Sequence, residues 1–427
     1  MPACHAGGRL FNHLSSEEKS VSKMRTLYVK NFGPITEANI EVRKFNLFIG
    51  EQSIGKSTLA KLVTIFTDYV NLIALLTGLE NAWKVLITQY DLQTLNDTKN
   101  NYVIVYDEQV RDISIHIRIE NGETVEAQVI QNQHRLTETK KIYEEVLVSK
   151  KIHHRQKLDE IRNIKDEAEL KKSWGQLLIN SLYIPAERSI ASIVRNIAPV
   201  MMLSKEQVPS NLLRFTTEFG NAKSLFSDQR ISLLNFTYKR LNDEDVVVLD
   251  DGQSIPLKYT SSGIQSALPL ILTVLFGIHH KEYDSFVVEE PECNLFPQKQ
   301  VELLQFLIEN ICDKGRMLTI TTHSPYLLSA LNNYLFASAL YTMMPDELSQ
   351  LVQVVPSNFW LNVDECAVYS LGEQINGGIY CKNLVDSETG LIDFNYLDGV
   401  SITMGEEFGK LQDIQIAHQR KQKNGKA

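Results

Sequence analysis

Gly50-Glu51-Gln52-Ser53-Ile54-Gly55-Lys56-Ser57 follows directly on an apolar run, Phe45 to Ile49. It precedes Leu59, Leu62, Val63, Phe66, Val70 and Ile73, which recur at helical spacing on one face. A buried strand, a glycine-bounded loop and an amphipathic helix in that order leave few folds open. The glycines let the backbone curl so that successive amide N–H groups, from Gly50 through Gln52, Ser53 and Gly55 to Thr58, turn inward toward a chain of phosphates. The helix N-terminus behind adds partial positive charge. Lys56 supplies a point charge for the β- and γ-phosphates, and the Ser57 hydroxyl completes the shell of a Mg²⁺ that bridges them. The pattern predicts a nucleoside triphosphate site.

A chain of 427 residues has room for two or three domains. Hydrophobic residues at 43% and charged residues at 22% place it among globular proteins, neither disordered nor fibrous. The formal net charge of -9 argues against broad, nonspecific adhesion to nucleic acid and leaves room for a local basic groove. Cys4, Cys293, Cys312, Cys366 and Cys381 are scattered and form no CxxC pair, which points to a reducing, cytoplasmic setting. The weakly polar run from Ser262 to Ile278 contains Gln265 and Pro269, so it reads as a buried helix and no membrane is expected.

Residues 1–23 lack the apolar core of a signal segment and read as a dispensable extension, with Met24 as a possible start. Residues 24–80 are expected to carry the first part of the nucleotide-binding unit. In them, Leu27 to Lys30 and Ala38 to Val42 read as strands around the turn Asn31-Phe32-Gly33-Pro34. Residues 81–181 read as an insertion, with strands at Tyr102 to Tyr106 and Ile113 to Ile119. A charge-dense stretch follows at 135–172, where Leu158, Ile161, Ile164 and Ala168 sit at helical spacing. That stretch predicts a helical arm, either a solvated helix pair or a contact for a partner or DNA.

Residues 182–345 are expected to hold the second part of the nucleotide-binding unit. Strands at Phe286 to Glu289 and Met317 to Thr321 flank a helix marked by Val301, Leu304, Leu307, Ile308 and Ile311, the spacing of a parallel sheet. Alternation from Val246 onward is read as strand and helix. Residues 346–418 read as a C-terminal α/β extension, and the basic tail 419–427 is predicted to be disordered.

Phe286-Val287-Val288-Glu289-Glu290-Pro291-Glu292 ends a strand in adjacent carboxylates. Glu289 is placed to hold the Mg²⁺ through water, and Glu290 to accept a hydrogen bond from the water that attacks the γ-phosphate. His323 follows the next strand at the carboxyl edge of the sheet, where ligands of open α/β sheets bind. Ser324-Pro325 then supplies a helix cap and a first-turn proline. Tyr259-Thr260-Ser261-Ser262-Gly263-Ile264-Gln265 opens a long apolar helix and forms a second anion site. One chain has a single γ-phosphate to bind, so a second anion site points to a second protomer. His279, His280 and Lys281 close that helix, where cations suit the negative end of its dipole.

The glycine-lysine loop, Ser262-Gly263-Ile264-Gln265, Glu289-Glu290-Pro291-Glu292 and Thr322-His323-Ser324-Pro325, in that order, resemble an ABC-type ATPase head of the OLD, RecF and SMC branch. The resemblance runs from about Leu27 to at least Leu331. Asn31-Phe32-Gly33-Pro34-Ile35 and Tyr183-Ile184-Pro185-Ala186-Glu187-Arg188 add similarity to the stand-alone OLD-like ATPases of bacteria.

The resemblance implies an α/β P-loop NTPase fold with a mixed central sheet, an antiparallel β subdomain and an inserted α-helical arm. It also implies ATP and Mg²⁺ as cofactors. Lys56 and Ser57 match the phosphate and magnesium residues, Glu289 the Walker B acid, Glu290 the catalytic glutamate and His323 the switch histidine. Ser262 and Gly263 match signature residues that contact ATP across a head-to-head homodimer, the minimal form of any larger homo-oligomer.

Three positions depart from the family pattern. Gln52 stands where asparagine is usual, Ile264 replaces the second signature glycine, and Phe296 stands where histidine is common. No magnesium-sensing glutamine is found; Glu187 and Arg188 are candidates near the site, with a structural role open to both. The Toprim nuclease motif is not found, and Asp393 and Asp398 read as surface loop residues. Any nuclease would then be a separately encoded effector partner. Two alternatives to an ATPase that regulates such an effector, in anti-phage defence, remain open. One is a RecF- or SMC-like clamp that binds DNA in repair, and the other is a slowly hydrolysing ATP-gated scaffold.

Overall fold

The computed structural model describes residues 25–95, 101–109, 113–121, 123–130, 181–193, 209–280, 283–375, 378–392 and 407–412. The expected helical arm, the start at Met24, Asp393, Asp398 and the basic tail lie outside them.

The chain opens with a hairpin, β1 (Arg25–Phe32) and β2 (Ile35–Glu41), turned at Gly33-Pro34 as its sequence predicts. β3 (Phe45–Gly50) is buried at every position. Its side chains alternate between two cores: Phe45, Leu47 and Ile49 on one face and Phe48 on the other. Burial on both faces is what a near-continuous apolar run in a parallel strand requires. Helix α1 (Lys56–Thr67) follows the loop.

The expected helical face does not continue unbroken to Val70 and Ile73. Asp68 leaves helical geometry at ψ 122°, and α2 (Tyr69–Gln89) begins after it. The break has a cause in hydrogen bonding. Buried Asp68 accepts from the Asn71 amide at 3.2 Å through Oδ1 and from the Ser181 amide at 2.9 Å through Oδ2. It thus starts the second helix and ties that helix to a distant strand.

Strands β4 (Tyr102–Glu108), β5 (Ile113–Glu120) and β6 (Glu123–Ile130) extend the hairpin into an antiparallel lobe. Its inward face, including Leu27, Val29, Ile104 and Ile115, packs in one core with α1 and with Trp83, Leu86 and Tyr90 of α2. Phe66 of α1 stacks on both Trp83 and Tyr106, at ring separations of 6.1 and 5.3 Å. The lobe is therefore fastened to the glycine-loop helix by aromatic packing.

β7 (Ser181–Ile184) lies at the far edge of the sheet, and α3 (Ser210–Leu225) follows. A separate four-stranded antiparallel sheet then forms from β8 (Asp228–Ile231), β9 (Phe236–Leu241), β10 (Glu244–Leu249) and β11 (Ser254–Pro256). The strand-helix alternation expected from Val246 onward starts later than that, because β10 and β11 follow each other as antiparallel strands. The local signal of this sheet is the Asn242-Asp243 turn, with φ of 49° and 64°, which joins β9 to β10 as a tight hairpin. Helix α4 (Ser262–His280) is long and apolar enough to cross a membrane by length and composition. Here Ala267, Leu268, Leu270, Ile271, Leu272 and Val274 sit in the core.

β12 (Ser285–Glu289), α5 (Pro297–Leu307), β13 (Met317–Thr322) and α6 (Pro325–Met343) complete the strand-helix alternation as expected. β14 (Cys366–Ile375) and β15 (Gly378–Asn383) return to the main sheet. Among the described residues, the eleven strands of this sheet run in the order β6-β5-β4-β1-β2-β15-β14-β3-β13-β12-β7. Pairing is parallel through β7, β12, β13, β3 and β14, and the sheet is mixed overall. α1 and α2 pack in one core and α3 to α6 in the other. The fold is thus α/β, with a large mixed sheet and a second antiparallel sheet. β14, from the stretch read as a C-terminal extension, lies against β3 with Leu371 opposite Gly50.

Candidate active site

The loop between β3 and α1 has the backbone geometry that its glycines predict. Ser53 and Gly55 adopt positive φ, 62° and 100°, and Gly55 caps α1 without a side chain. Gly50 is demanded by packing. A Cβ there would collide with the Leu371 carbonyl oxygen of β14 and with Ile54 Cδ1. Gly50→Ala should therefore lower stability by about 1–3 kcal/mol through overpacking and weaken triphosphate binding by distorting the loop. Thermal melts and a nucleotide titration check this, and an unchanged melting point with unchanged affinity would refute it.

Lys56 is buried, and its ammonium donates to the Gly50 and Glu51 carbonyls at 3.0 and 2.6 Å. Burial pulls its pKa below the usual lysine value, while the facing carboxylates of Glu290, Glu292 and Glu289 push it back up. The lysine is thus bonded to its own loop and feels the charge of the acids at the end of β12 and in the loop after it. Ser57 is exposed in the first turn of α1, and Thr58 is buried behind it. Gln52 and Ser53 are exposed on the loop.

Glu289 ends β12, 6% exposed. Its Oε2 accepts weakly from the Ala186 amide at 3.4 Å, and among the described residues its buried Oε1 has no hydrogen-bond partner. An orphaned buried carboxylate oxygen is costly unless something else satisfies it. Among the described residues no group of three or more His, Cys, Asp or Glu forms a metal cage. A Mg²⁺ shared with a triphosphate needs only one or two protein ligands and keeps its waters, so Ser57 and Glu289 fit such an ion. Burial, and then Glu289, raise the neighbouring Tyr183 phenol well above its usual pKa, so that it stays protonated.

Glu290 takes φ of 43°, a left-handed conformation unusual for a residue with a side chain. Its amide donates to the Thr321 carbonyl at 2.8 Å, which fixes the end of β12 against β13. Both carboxylate oxygens are engaged: Oε1 lies 3.1 Å from His323 Nε2, and Oε2 accepts from the Cys293 thiol at 3.2 Å. Burial and the neighbouring acid push that thiol up to about 12, so it remains a donor. His323 is positioned by the cap that its sequence predicts. Ser324 Oγ accepts from the Tyr326 amide at 3.2 Å at the start of α6 and donates to Gln300 of α5 at 2.6 Å.

The structure thus brings Lys56, Glu289, Glu290 and His323 to one edge of the sheet. No described contact joins Ser262 or Gly263 to them. Ser262 is exposed at the start of α4, and Gly263 is buried against the Asn294 carbonyl, where a Cβ would come within 2.7 Å. Gln265, which follows, is occupied within its own turn, donating to the Lys258 and Thr260 carbonyls at 3.0 Å each.

Sequence reasoning left two roles unassigned. Arg188 is 0% exposed, and among the described residues its hydrogen bonds go to no carboxylate. Its guanidinium instead donates to five backbone carbonyls, those of Pro185, Ser266, Glu289, Glu290 and Pro291. It is a brace that ties the end of β7, the acid loop and α4 together, while Glu187 is exposed. Glu292, the third acid of its loop, is half-buried. Its Oε1 accepts from Thr322 Oγ1 at 2.6 Å and from the His323 amide at 2.7 Å. Its signal was the final carboxylate of Glu-Glu-Pro-Glu.

Comparison with known proteins adds a family. A family model described as the AAA ATPase domain matches residues 23–208 and 201–328. No curated protein matches the sequence. Similar solved structures include the SMC head domain from Thermotoga maritima, at 13% identity over 84% of this chain and 98% of that one, with a TM-score of 0.37. The Smc head domain with an extended coiled coil bound to the C-terminal domain of ScpA, from Pyrococcus furiosus, shares 12% identity over 90% of this chain and 99% of that one, with a TM-score of 0.38. The SmcHead bound to the C-winged helix domain of ScpA shares 12% identity over 85% of this chain and 98% of that one, with a TM-score of 0.39.

Proposed function

The chain belongs to the AAA ATPase domain family, and on that premise we propose that it binds ATP with Mg²⁺ on the Gly50–Thr58 loop and hydrolyses it at Glu290. One observation carries the reading: Glu290 is held at 3.1 Å from His323 on the same sheet edge from which Lys56 faces the acids. The amides of Gly50, Gln52, Ser53 and Gly55 and the Lys56 ammonium hold the triphosphate. Ser57 and Glu289 hold the Mg²⁺, which when bound neutralises charge on the β- and γ-phosphates. Glu290 takes the proton of the attacking water, and His323 orients Glu290 and reaches the γ-phosphate.

We further propose that ATP joins two copies head to head, each presenting Ser262, exposed at the start of α4, to the nucleotide of the other, with Gly263 buried behind it to hold the turn. The exposed start of α4, flanked by Tyr259 at 73% and Phe296 at 76% exposure, supports a surface meant for a second copy. Nucleotide binding and dimerisation are then one linked equilibrium. In keeping with its resemblance to OLD-like ATPases, the cycle regulates a separately encoded effector such as a nuclease, in bacterial anti-phage defence and in the cytoplasm. The cysteines described, Cys293, Cys312, Cys366 and Cys381, are free thiols, consistent with that compartment.

Light scattering on the Glu290→Gln variant tests the dimer. Saturating ATP with Mg²⁺ should double the particle mass, and a variant that binds ATP yet stays at the monomer mass would sink this part of the reading.

A further inference from the structure

We propose that Glu292 and Cys293 form a clamp that fixes the Glu290 carboxylate against His323. Glu292 does so by holding the His323 backbone, and Cys293 by donating its thiol hydrogen to the second oxygen of the acid. The proposal rests on the reading of Glu290 as the hydrolytic acid, and it concerns two residues that act through Glu290 and His323 rather than on the nucleotide.

The geometry of the acid loop calls for such a device. Glu290 sits at φ 43°, and Pro291 follows it. A residue before proline is already restricted, and a left-handed conformation adds strain that persists only where the surroundings over-determine it. Here they do so from three sides. The Glu290 amide is bonded to the Thr321 carbonyl of β13, Arg188 holds the Glu290 carbonyl at 2.9 Å, and Cys293 Sγ holds carboxylate Oε2 at 3.2 Å.

The partner histidine is fixed by the same loop. Glu292 Oε1 collects the His323 amide at 2.7 Å and the Thr322 hydroxyl at 2.6 Å, and Thr322 Oγ1 in turn accepts from the Ser324 amide at 2.9 Å. A single half-buried carboxylate therefore bridges the loop after β12 and the loop after β13. These two loops deliver Glu290 and His323 to each other. Hydrogen bonds to a charged acceptor are the stronger kind, so this bridge is stiff. Beyond the backbone bond from the Glu290 amide to the Thr321 carbonyl, it joins the two loops independently of the side chains they align.

The test compares Glu292→Ala, Glu292→Gln and Cys293→Ala in the full chain. Glu292→Ala removes both accepted bonds and should lower kcat for ATP roughly 10- to 100-fold with KM within about threefold. Glu292→Gln keeps an acceptor oxygen at the same place and should recover most of that loss. Cys293→Ala removes one thiol bond and should lower kcat by about 3- to 10-fold. Wild-type kcat in Glu292→Ala, or Gln proving as damaging as Ala, would overturn the clamp.

A crystal structure of Glu292→Ala judges the clamp even without turnover. The Glu290–His323 contact of 3.1 Å should be lost, and its retention would overturn the proposal whatever the kinetics. Failure of wild-type chain to hydrolyse ATP would instead strike the hydrolytic reading, leaving the clamp to be decided by that distance.

Discussion

Replacing Glu290 with Gln is expected to lower kcat for ATP by about 10²- to 10⁴-fold, the range that a general base contributes. The substitution is nearly isosteric, and an amide oxygen can still meet one of the two groups, His323 Nε2 and the Cys293 thiol, that hold the carboxylate. What disappears is the ability to take a proton from water as the γ-phosphate bond breaks. KM should stay within about threefold, because Lys56 and the loop amides that hold the triphosphate are untouched. Steady-state phosphate release measures both constants. A Glu290→Gln variant with wild-type kcat would remove Glu290 from the chemistry. A rise in KM with unchanged kcat would recast it as a binding residue.

Arg188→Met should produce the largest effect on stability. Methionine fills similar volume but donates nothing, so four buried carbonyls and the part-buried one of Glu290 lose their shared partner. Leaving buried carbonyls without a donor costs about 1–3 kcal/mol each, so losing several together should lower stability by about 3–5 kcal/mol, read as a lower denaturation midpoint. Arg188→Lys should rescue little, because an ammonium offers a point of charge where the guanidinium offers a fork spanning β7, the acid loop and α4. The variant should also lose phosphate release, since the Glu289 and Glu290 carbonyls would no longer be held. A denaturation midpoint equal to that of the wild-type chain would show that the brace is dispensable.

The local features of this chain were legible in its residues because their signals are local. Gly50 to Ser57 declares its loop, and Ser324-Pro325 declares the cap of α6, through bonds made within a few residues. The parallel strands β3, β12 and β13 were legible from apolar runs buried on both faces.

Features set by distant pairing were not. β14 joins the sheet by placing Cys366 opposite Phe45, more than three hundred residues away in the chain. Nothing in the alternation of residues 366–375 names that partner. The same pairing explains why Gly50 tolerates no side chain, a constraint imposed by the Leu371 carbonyl rather than by phosphate. Asp68 was passed over as one polar position in an amphipathic stretch. Its role comes from Ser181, which reaches it from the far edge of the sheet.

Within the site the legible part was the set of charged groups that meet at one edge: Lys56, Glu289, Glu290 and His323. The illegible part was what holds them. From sequence alone Arg188 was a candidate near the site and Glu292 had no role; three-dimensional placement shows Arg188 buried among backbone carbonyls and Glu292 half-buried, with one carboxylate oxygen bonded to Thr322 and His323. Support residues bond to backbone atoms, which carry no residue identity, so their partners leave no trace in the motif.

A crystal structure of the Glu290→Gln variant grown with ATP and Mg²⁺ tests the central claim most directly. The triphosphate should lie across the amides of the Gly50–Thr58 loop, with Lys56 on its phosphates and the metal on Ser57. Nucleotide bound elsewhere on the chain, or no nucleotide at all at saturating ATP, would contradict the account.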